Sequence, residues 1–555
     1  MKKFFYFLIM LLLSGNALAQ KQYLKIIAEN RVEQKRIDSI GYNAKFESLK
    51  SIIDEFNLFH KKLQTIGYIE SEVIRQEKVN DSVFAFRIKL GNQVKELHIY
   101  IGKDSPLKKL EIIDTKTDTV KVTYSETEKY LQQILNLLEK KGWALSQVKL
   151  TNITRNHQKL FANLEIKTES ERHFDDIVIK GDVNFPASHL KQLKKNYRKR
   201  IFSQQNLKSF ASEIDKFRFI RQTRYPEILF KPDSTKIYCY LEKAKANNFE
   251  GFVGFTNSET KKLTVNGYLD LTLNNLLKSG ETFSLYWKSD GKDQKTFNTN
   301  INLPYIFKSP LGIKAQLNIF KQDSTFQNTK TNLDLGYFFN YSTRLYLGYQ
   351  STESSDIQNQ NTQILNDYSN QFVTSEFEFT DWKPDNYLFA EKTKIDLKIG
   401  AGSRSSKTNQ DQQFFGQLTT SHIIYLNSKN NISLKSENFY LNSNNYITNE
   451  LYRFGGINSI RGFNENSLQA NLFNSILSEY RYIPSPNFYL YTIIDYGYFQ
   501  DKTIDKSGNL IGLGIGLGVI TKNGLLNLIY ANGSNQTTDI KASNALIHLS
   551  FKTIF

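Results

Sequence analysis

From about residue 249 to Phe555 the sequence is a chain of strand-length segments in which apolar and polar residues alternate strictly. Leu263, Val265, Leu269, Leu271 and Leu273 share one side of a segment, and Thr264, Asn266, Tyr268, Asp270 and Thr272 the other. Ile395, Leu397, Ile399 and Ala401 alternate with Lys394, Asp396 and Lys398, and Phe297, Ile301 and Leu303 with Asn298, Asn300 and Asn302. The final segment sets Ala545, Ile547, Leu549, Phe551, Thr553 and Phe555 against His548, Ser550 and Lys552. A period of two means a sheet whose faces meet different media. Counting such segments gives about 16, an even number as single-chain bacterial barrels require. A sheet with an apolar outside and every backbone group paired must close on itself, so the expectation is a transmembrane barrel over 247–555.

The amino terminus agrees with export. Lys2 and Lys3 precede an apolar run from Phe4 to Leu13, and Ala17-Leu18-Ala19 closes it, the pattern of a signal peptide over 1–19. That run falls short of the roughly 20 residues that span a bilayer as a helix, and no later stretch qualifies. Cys239 is the one cysteine, so no internal disulfide forms; it lies in a strand-like segment as a small buried hydrophobe. Aromatics make up 13% of the chain, a share that a soluble protein or a barrel with aromatic girdles can carry, and the net charge of +17 suits acidic lipid headgroups or acidic partners. Behind a signal peptide, nucleic acid is not an expected partner. Gly512, Gly514, Gly516 and Gly518 repeat with period two and lack a dinucleotide-loop frame, so they read as a lumen-facing row on a strand.

The first half mixes helices and strands in a repeat. A helical stretch from Phe46 to Leu63 carries Leu49, Ile52, Ile53, Phe56, Phe59 and Leu63 at helical spacing, ends at Gly67-Tyr68, and is followed by strands including Val83–Ile88. A second, Glu128 to Lys141, carries Tyr130, Leu131, Ile134, Leu135 and Leu138, ends at Gly142-Trp143, and is followed by the strand Leu160–Ile166. A third unit opens with Asp176–Lys180 and Gly181, then helices over about 186–199 and 204–217, then strands at 225–230 and 235–242. It lacks the Gly-aromatic stop. This β-α-α-β-β unit resembles the POTRA domain, which in that family handles unfolded clients, partly by adding their strands to a sheet edge. The expected boundaries are a degenerate domain over 20–104, a second over 105–172 and a third over 173–246. Residues 21–45 could instead be a plug. The helix over Lys191–Arg200 is strongly basic, either as a solvated face or as a contact with anionic headgroups or the barrel rim.

Between strands near 442 and 471 lies Arg453-Phe454-Gly455-Gly456-Ile457-Asn458-Ser459-Ile460-Arg461-Gly462-Phe463. Gly455, Gly456, Ser459, Ile460, Arg461, Gly462 and Phe463 resemble the Gly-Gly-x-x-Ser-Val-Arg-Gly-Phe/Tyr signature of the BamA/TamA superfamily of outer-membrane assembly and translocation proteins, with Ile460 for the commoner valine. Glu479-Tyr480-Arg481 and Ile494-Asp495-Tyr496-Gly497 resemble that family's acid-bearing strands. The resemblance implies a loop folded back into the barrel and locked by Arg461 on Asp495, with Glu479 the second candidate. A guanidinium inside a lumen needs a carboxylate in any case. The barrel start Asn247-Asn248-Phe249-x-Gly251-Phe252-x-Gly254-Phe255 is similar to the family's first strand. Asn275-Leu276-x-x-x-Gly280 and Leu303-Pro304-Tyr305 resemble its next hairpins, and the terminal Phe555 resembles its assembly signal.

What the resemblance implies is insertion or passage of unfolded outer-membrane or secreted clients, in contact with outer-membrane lipids and a periplasm-spanning accessory protein. The barrel would sit in the outer membrane of a Gram-negative-type bacterium, with the N-terminal domains in the periplasm. The first strand must meet the last, giving a lateral seam with Gly251, Phe252, Gly254 and Phe255 facing Phe551 and Phe555. Three units fit a TamA-like assembly factor; a two-partner secretion pore of the FhaC type has fewer, often behind a plug helix. A passive porin needs no such arm. The seven His are scattered and no hydrolase or metalloprotease motif occurs, so neither an enzyme nor a metal or cofactor is expected.

Overall fold

The computed structural model describes residues 21–103, 105–109, 117–257, 263–290, 294–383, 389–407, 409–535 and 545–555; of 106, 109, 252–257 and 263–266 it describes the backbone. The expected signal peptide lies outside the described residues. The chain forms two compact units, one of residues 1–173 with 201–206, the other of 174–200 with 207–555.

The first unit holds two four-stranded sheets. In one, Gln22–Ala28 runs parallel to Val83–Lys89, which pairs antiparallel with Glu72–Asn80. The helices Arg31–Ile40 and Leu49–Thr65 connect them. Asn30 and Ser48 cap these helices by accepting the amides of Glu33 and Ser51. Ile52, Phe56, Phe59 and Leu63 are buried as the spacing requires, while Leu49 and Ile53 lie at the exposed margin. Residues 21–45 thus supply the first strand and first helix of a complete domain, rather than a degenerate domain or a separate plug.

The second sheet sets Glu96–Tyr100 parallel to Lys159–Lys167, flanked by Thr119–Thr123 and Gln147–Asn156. The boundary expected at 104/105 is therefore too late, because Glu96–Tyr100 belongs to this sheet. The repeat is geometric as well as sequential. Gly67 and Gly142 follow their helices at φ 104 and 94, where a β-carbon is disfavoured. Tyr68 and Trp143 then donate their amides back to Leu63 and Leu138, each at 3.0 Å.

The second unit begins with a third sheet, in which Asp176–Lys180 lies parallel to Ser234–Lys243, with Glu227–Lys231 on the other side. Its helices are Ala187–Tyr197 and Gln204–Ile214. Cys239 is buried in the central strand, and burial pushes its thiol up to about 12. This strand order repeats in all three sheets.

From Asn248 the chain forms a closed antiparallel barrel of sixteen strands. Alternation along Phe326–Phe338 shows why: Asn332 and Asp334 are buried in the lumen, whereas Leu333 is 62% and Leu335 53% exposed on the outside. Val373, Ile399, Ile476, Ile494, Ile515 and Ile547 continue that outward apolar belt. The hairpin ends near the third sheet include the turns 275–281 and 304–310. The opposite ends carry the longer connections, including the segment from 443 to 471.

Candidate functional site: a clasped hairpin in the lumen and an incomplete seam

The connection between Asn430–Asn442 and Leu472–Ser485 folds as a hairpin, with Tyr452–Phe454 paired to Leu468–Ala470. Gly455, Gly456 and Gly462 adopt φ of 98, 104 and 88, so each needs the freedom of glycine. Gly456 accepts the Ser459 amide and donates to the Ile460 carbonyl, both at 3.2 Å, which closes the turn that aims Arg461.

The structure brings Arg461 onto both expected carboxylates. Its backbone amide and Nε donate to Asp495 Oδ2 at 3.0 and 2.8 Å, and Nη2 donates to Oδ1 at 2.6 Å. Nη1 donates to Glu479. Arg481, two residues beyond Glu479 and so on the same strand face, donates to the other oxygen of Glu479 at 2.7 Å. Arg461 is 4% and Asp495 1% exposed. The buried Arg461–Asp495 fork and the half-buried Arg481 therefore share one further acid, Glu479. Such an arrangement holds together only while every member keeps its partners.

The barrel wall is shaped to receive this hairpin. Asp495, Gly512 and Gly533 stand side by side in register on three consecutive strands. A β-carbon on Gly512 would overlap the Arg461 carbonyl, one on Gly533 would crowd Gly462, and one on Gly497 would overlap Ile460. Gly516 and Gly518 make room for the rings of Tyr491 and Tyr489. The row read from sequence as lumen-facing is thus filled by the hairpin and by two tyrosines. Ile460, Phe454, Phe473, Phe499 and Leu510 pack together behind the clasp, with Phe463 against them.

Further anchors escaped the sequence. Glu450 bonds Arg404, whose other partner is Asp411, and accepts from Gln413 at 2.8 Å. Asn449 donates to Ser354 Oγ and to the Asn366 carbonyl, each at 2.7 Å. Across the lumen, Glu465 accepts from Tyr286 at 2.8 Å and pairs with Lys288. The segment therefore reaches from strands near the middle of the sheet to those near its start. Only the direct register of Arg404 with Asp411 could have been read ahead of the structure, and only once the pairing was known. Glu376, Glu378 and Asp396 form another lumenal cluster, where Lys314 donates to the two glutamates at 2.5 and 2.7 Å.

The seam is short. The first strand, Asn248–Asn257, pairs along its whole length with Leu263–Thr272 on one side. On the other it registers only Asn248 with Ile554, Phe249 with Thr553 and Glu250 with Lys552. The Asn247 and Phe555 backbones add reciprocal bonds of 3.2 and 3.0 Å. Of the residues expected there, only Phe555 bonds across. The backbones of Gly251, Phe252, Gly254 and Phe255 pair only with the second strand, and Phe551 pairs with Leu526. The side chains of Phe252 and Phe255 lie outside the described residues. A cleft of about 240 Å³ opens at this place, lined by Phe249, Gly251, Tyr268, Leu549 and Phe551 among others.

An apolar-walled, sixteen-stranded cylinder holding its own hairpin defines an outer-membrane β-barrel. The fold is shared with CdiB from Escherichia coli, at 12% identity and a TM-score of 0.51 over 89% of this chain and 96% of that one. It is shared too with CdiB from Acinetobacter baumannii, at 16% identity and 0.50 over 83% and 90%. BamA from Haemophilus ducreyi lacking POTRA domains 1-3 aligns at 14% identity and 0.48 over 81% and 97%. The chain thus shares its fold with the two CdiB structures. No protein-family model and no curated protein matches its sequence.

Proposed function

We propose that this chain is a non-enzymatic outer-membrane factor that inserts or translocates unfolded proteins, with three POTRA-like domains in the periplasm engaging the client. The observation that carries this reading is the seam. Among the described residues, beyond Glu250 on one strand and before Lys552 on the other, the facing edges hold no register with each other. Unpaired N–H and C=O groups in an apolar setting seek partners, and a client strand supplies them. The hairpin that occupies the lumen argues against a passive open pore. Three sheets of the same parallel-pair order, the first of which uses residues 22–28 and 31–40 as its own strand and helix, favour an assembly factor of the TamA type over a two-partner pore behind a plug helix.

The test is a seam lock. Cysteines at Phe249 and Thr553, which face each other in register, form a disulfide across the strands. Full-length protein in liposomes should insert a model barrel when reduced and stop when oxidised. Undiminished insertion by the oxidised form ends the proposal. Activity toward a single secreted substrate, with none toward barrels, replaces assembly by dedicated export.

A further inference from the structure

The basic helix Ala187–Tyr197 is held against one end of the barrel by its inner face. His189 is fully buried, with its ring 4.8 Å from that of Tyr305, and Gln192 donates to the Lys308 carbonyl at 2.7 Å. A β-carbon on Gly280 would overlap the His189 imidazole. Two barrel turns, 275–281 and 304–310, therefore grip this helix. Its opposite face carries Lys191, Lys195 and Arg198 at helical spacing, followed by Lys199, all exposed. Lys194 is partly spent on Asp176, at 2.8 Å. Leu190 and Ala187 floor a shallow groove of about 570 Å³ under these cations.

The same turns expose large apolar side chains. Phe307 is 93%, Leu277 70% and Leu276 65% exposed. Just beyond, the outward aromatics Tyr337 and Phe339 stack edge to face at 5.1 Å. Apolar tips beside a fixed row of cations, at the margin of a lipid-facing belt, match a bilayer interface: acyl chains take the tips and headgroup phosphates take the ammonium groups. An acidic protein would leave Phe307 and the leucines in water.

We propose that this helix face and the two turn tips form a binding surface for anionic phospholipid headgroups in the leaflet nearest the third domain. The surface rests on the outer-membrane reading above. It fixes the tilt of the third domain relative to the bilayer, because the helix is gripped on one side and bound to lipid on the other.

Native mass spectrometry of the full-length chain in detergent tests this, with phosphatidylglycerol or phosphatidylcholine added. Wild type should retain phosphatidylglycerol selectively. The variant K191E/K195E/R198E/K199E should lose roughly tenfold or more of that retention, and K50E/K61E, on the first domain, should lose none. An unchanged heat-modifiable gel shift shows that the variant barrel is folded. Equal retention by wild type and the quadruple variant overturns the proposal, as does wild type without preference between the lipids. A chain that is monodisperse without detergent would instead sink the membrane reading itself.

Discussion

Replacing Arg461 with alanine removes three guanidinium contacts and keeps one. Asp495 loses the bonds from Nε and Nη2 and retains only the Arg461 backbone amide at 3.0 Å. Glu479 loses one partner and keeps Arg481. Stranding a carboxylate that is 1% exposed costs about 3–5 kcal/mol. All of that falls on the state with the hairpin inside, because Asp495 can hydrate once the hairpin leaves. At about 1.4 kcal/mol per tenfold, the hairpin-out population should rise roughly a hundredfold to a few thousandfold. A cysteine at Ser459 reads this directly, since Ser459 is buried beside the clasp. Cys239 does not interfere, being buried with its thiol pushed up to about 12. Maleimide should label S459C slowly and S459C/R461A at least about a hundredfold faster. Adding D495N, which removes the stranded charge, should restore much of the protection. Labelling of S459C/R461A at the rate of S459C alone would refute the reasoning, and so would a triple variant no slower than the double.

Gly462→Ala forces a β-carbon into the Asn532–Gly533 backbone at φ 88, so S459C/G462A should label faster than S459C, by a factor equivalent to at least about 1 kcal/mol. Glu450→Ala leaves Arg404, 1% exposed, with Asp411 alone, and should lower the heat-modifiability midpoint by an amount equivalent to about 2–4 kcal/mol while leaving S459C protected if the two anchors act separately. Burial first, then the Arg344 cation, pushes His189 down to about 3. Its folded value lies below its unfolded one, so neutral His189 stabilises the docked third domain above about pH 6.5, and that contribution fades as pH falls toward 3, by up to about 1.4 kcal/mol per unit. Amide protection factors in the Ala187–Tyr197 helix, which correct for the slower intrinsic exchange in acid, should therefore fall on acidification from pH 7 to 5, and His189→Phe should abolish that fall.

The barrel half was legible because its two faces meet media as different as lipid and a polar lumen, which stamps a period of two on residues such as Asn332, Leu333, Asp334 and Leu335. The hairpin was legible through the resemblance of Gly455–Phe463 to a family signature, and the structure supplies the physical reason for its glycines, three of which adopt positive φ. The boundary between the first two domains was not. Glu96–Tyr100 follows Val83–Lys89 like one more strand, and only its parallel pairing with Lys159–Asn163 reassigns it. Glu450 and Glu465 were hidden for a related reason: single acids in an asparagine-rich segment, their partners Arg404 and Lys288 lie far away in sequence. The seam residues were placed on the right strands, but the register lies lower, at Asn248–Glu250, because pairing runs out where the cleft begins.

Gly497, Gly512 and Gly533 lie on three adjoining strands that lead toward the last one, Leu546–Ile554. Each is bare where the inward hairpin lies. These three positions themselves carry no side chain that could occupy the hairpin's place. On the proposed function, in which the hairpin yields to a client, the three bare positions would leave a trough moulded to the contour of one polypeptide backbone and running toward the weakest joint of the cylinder.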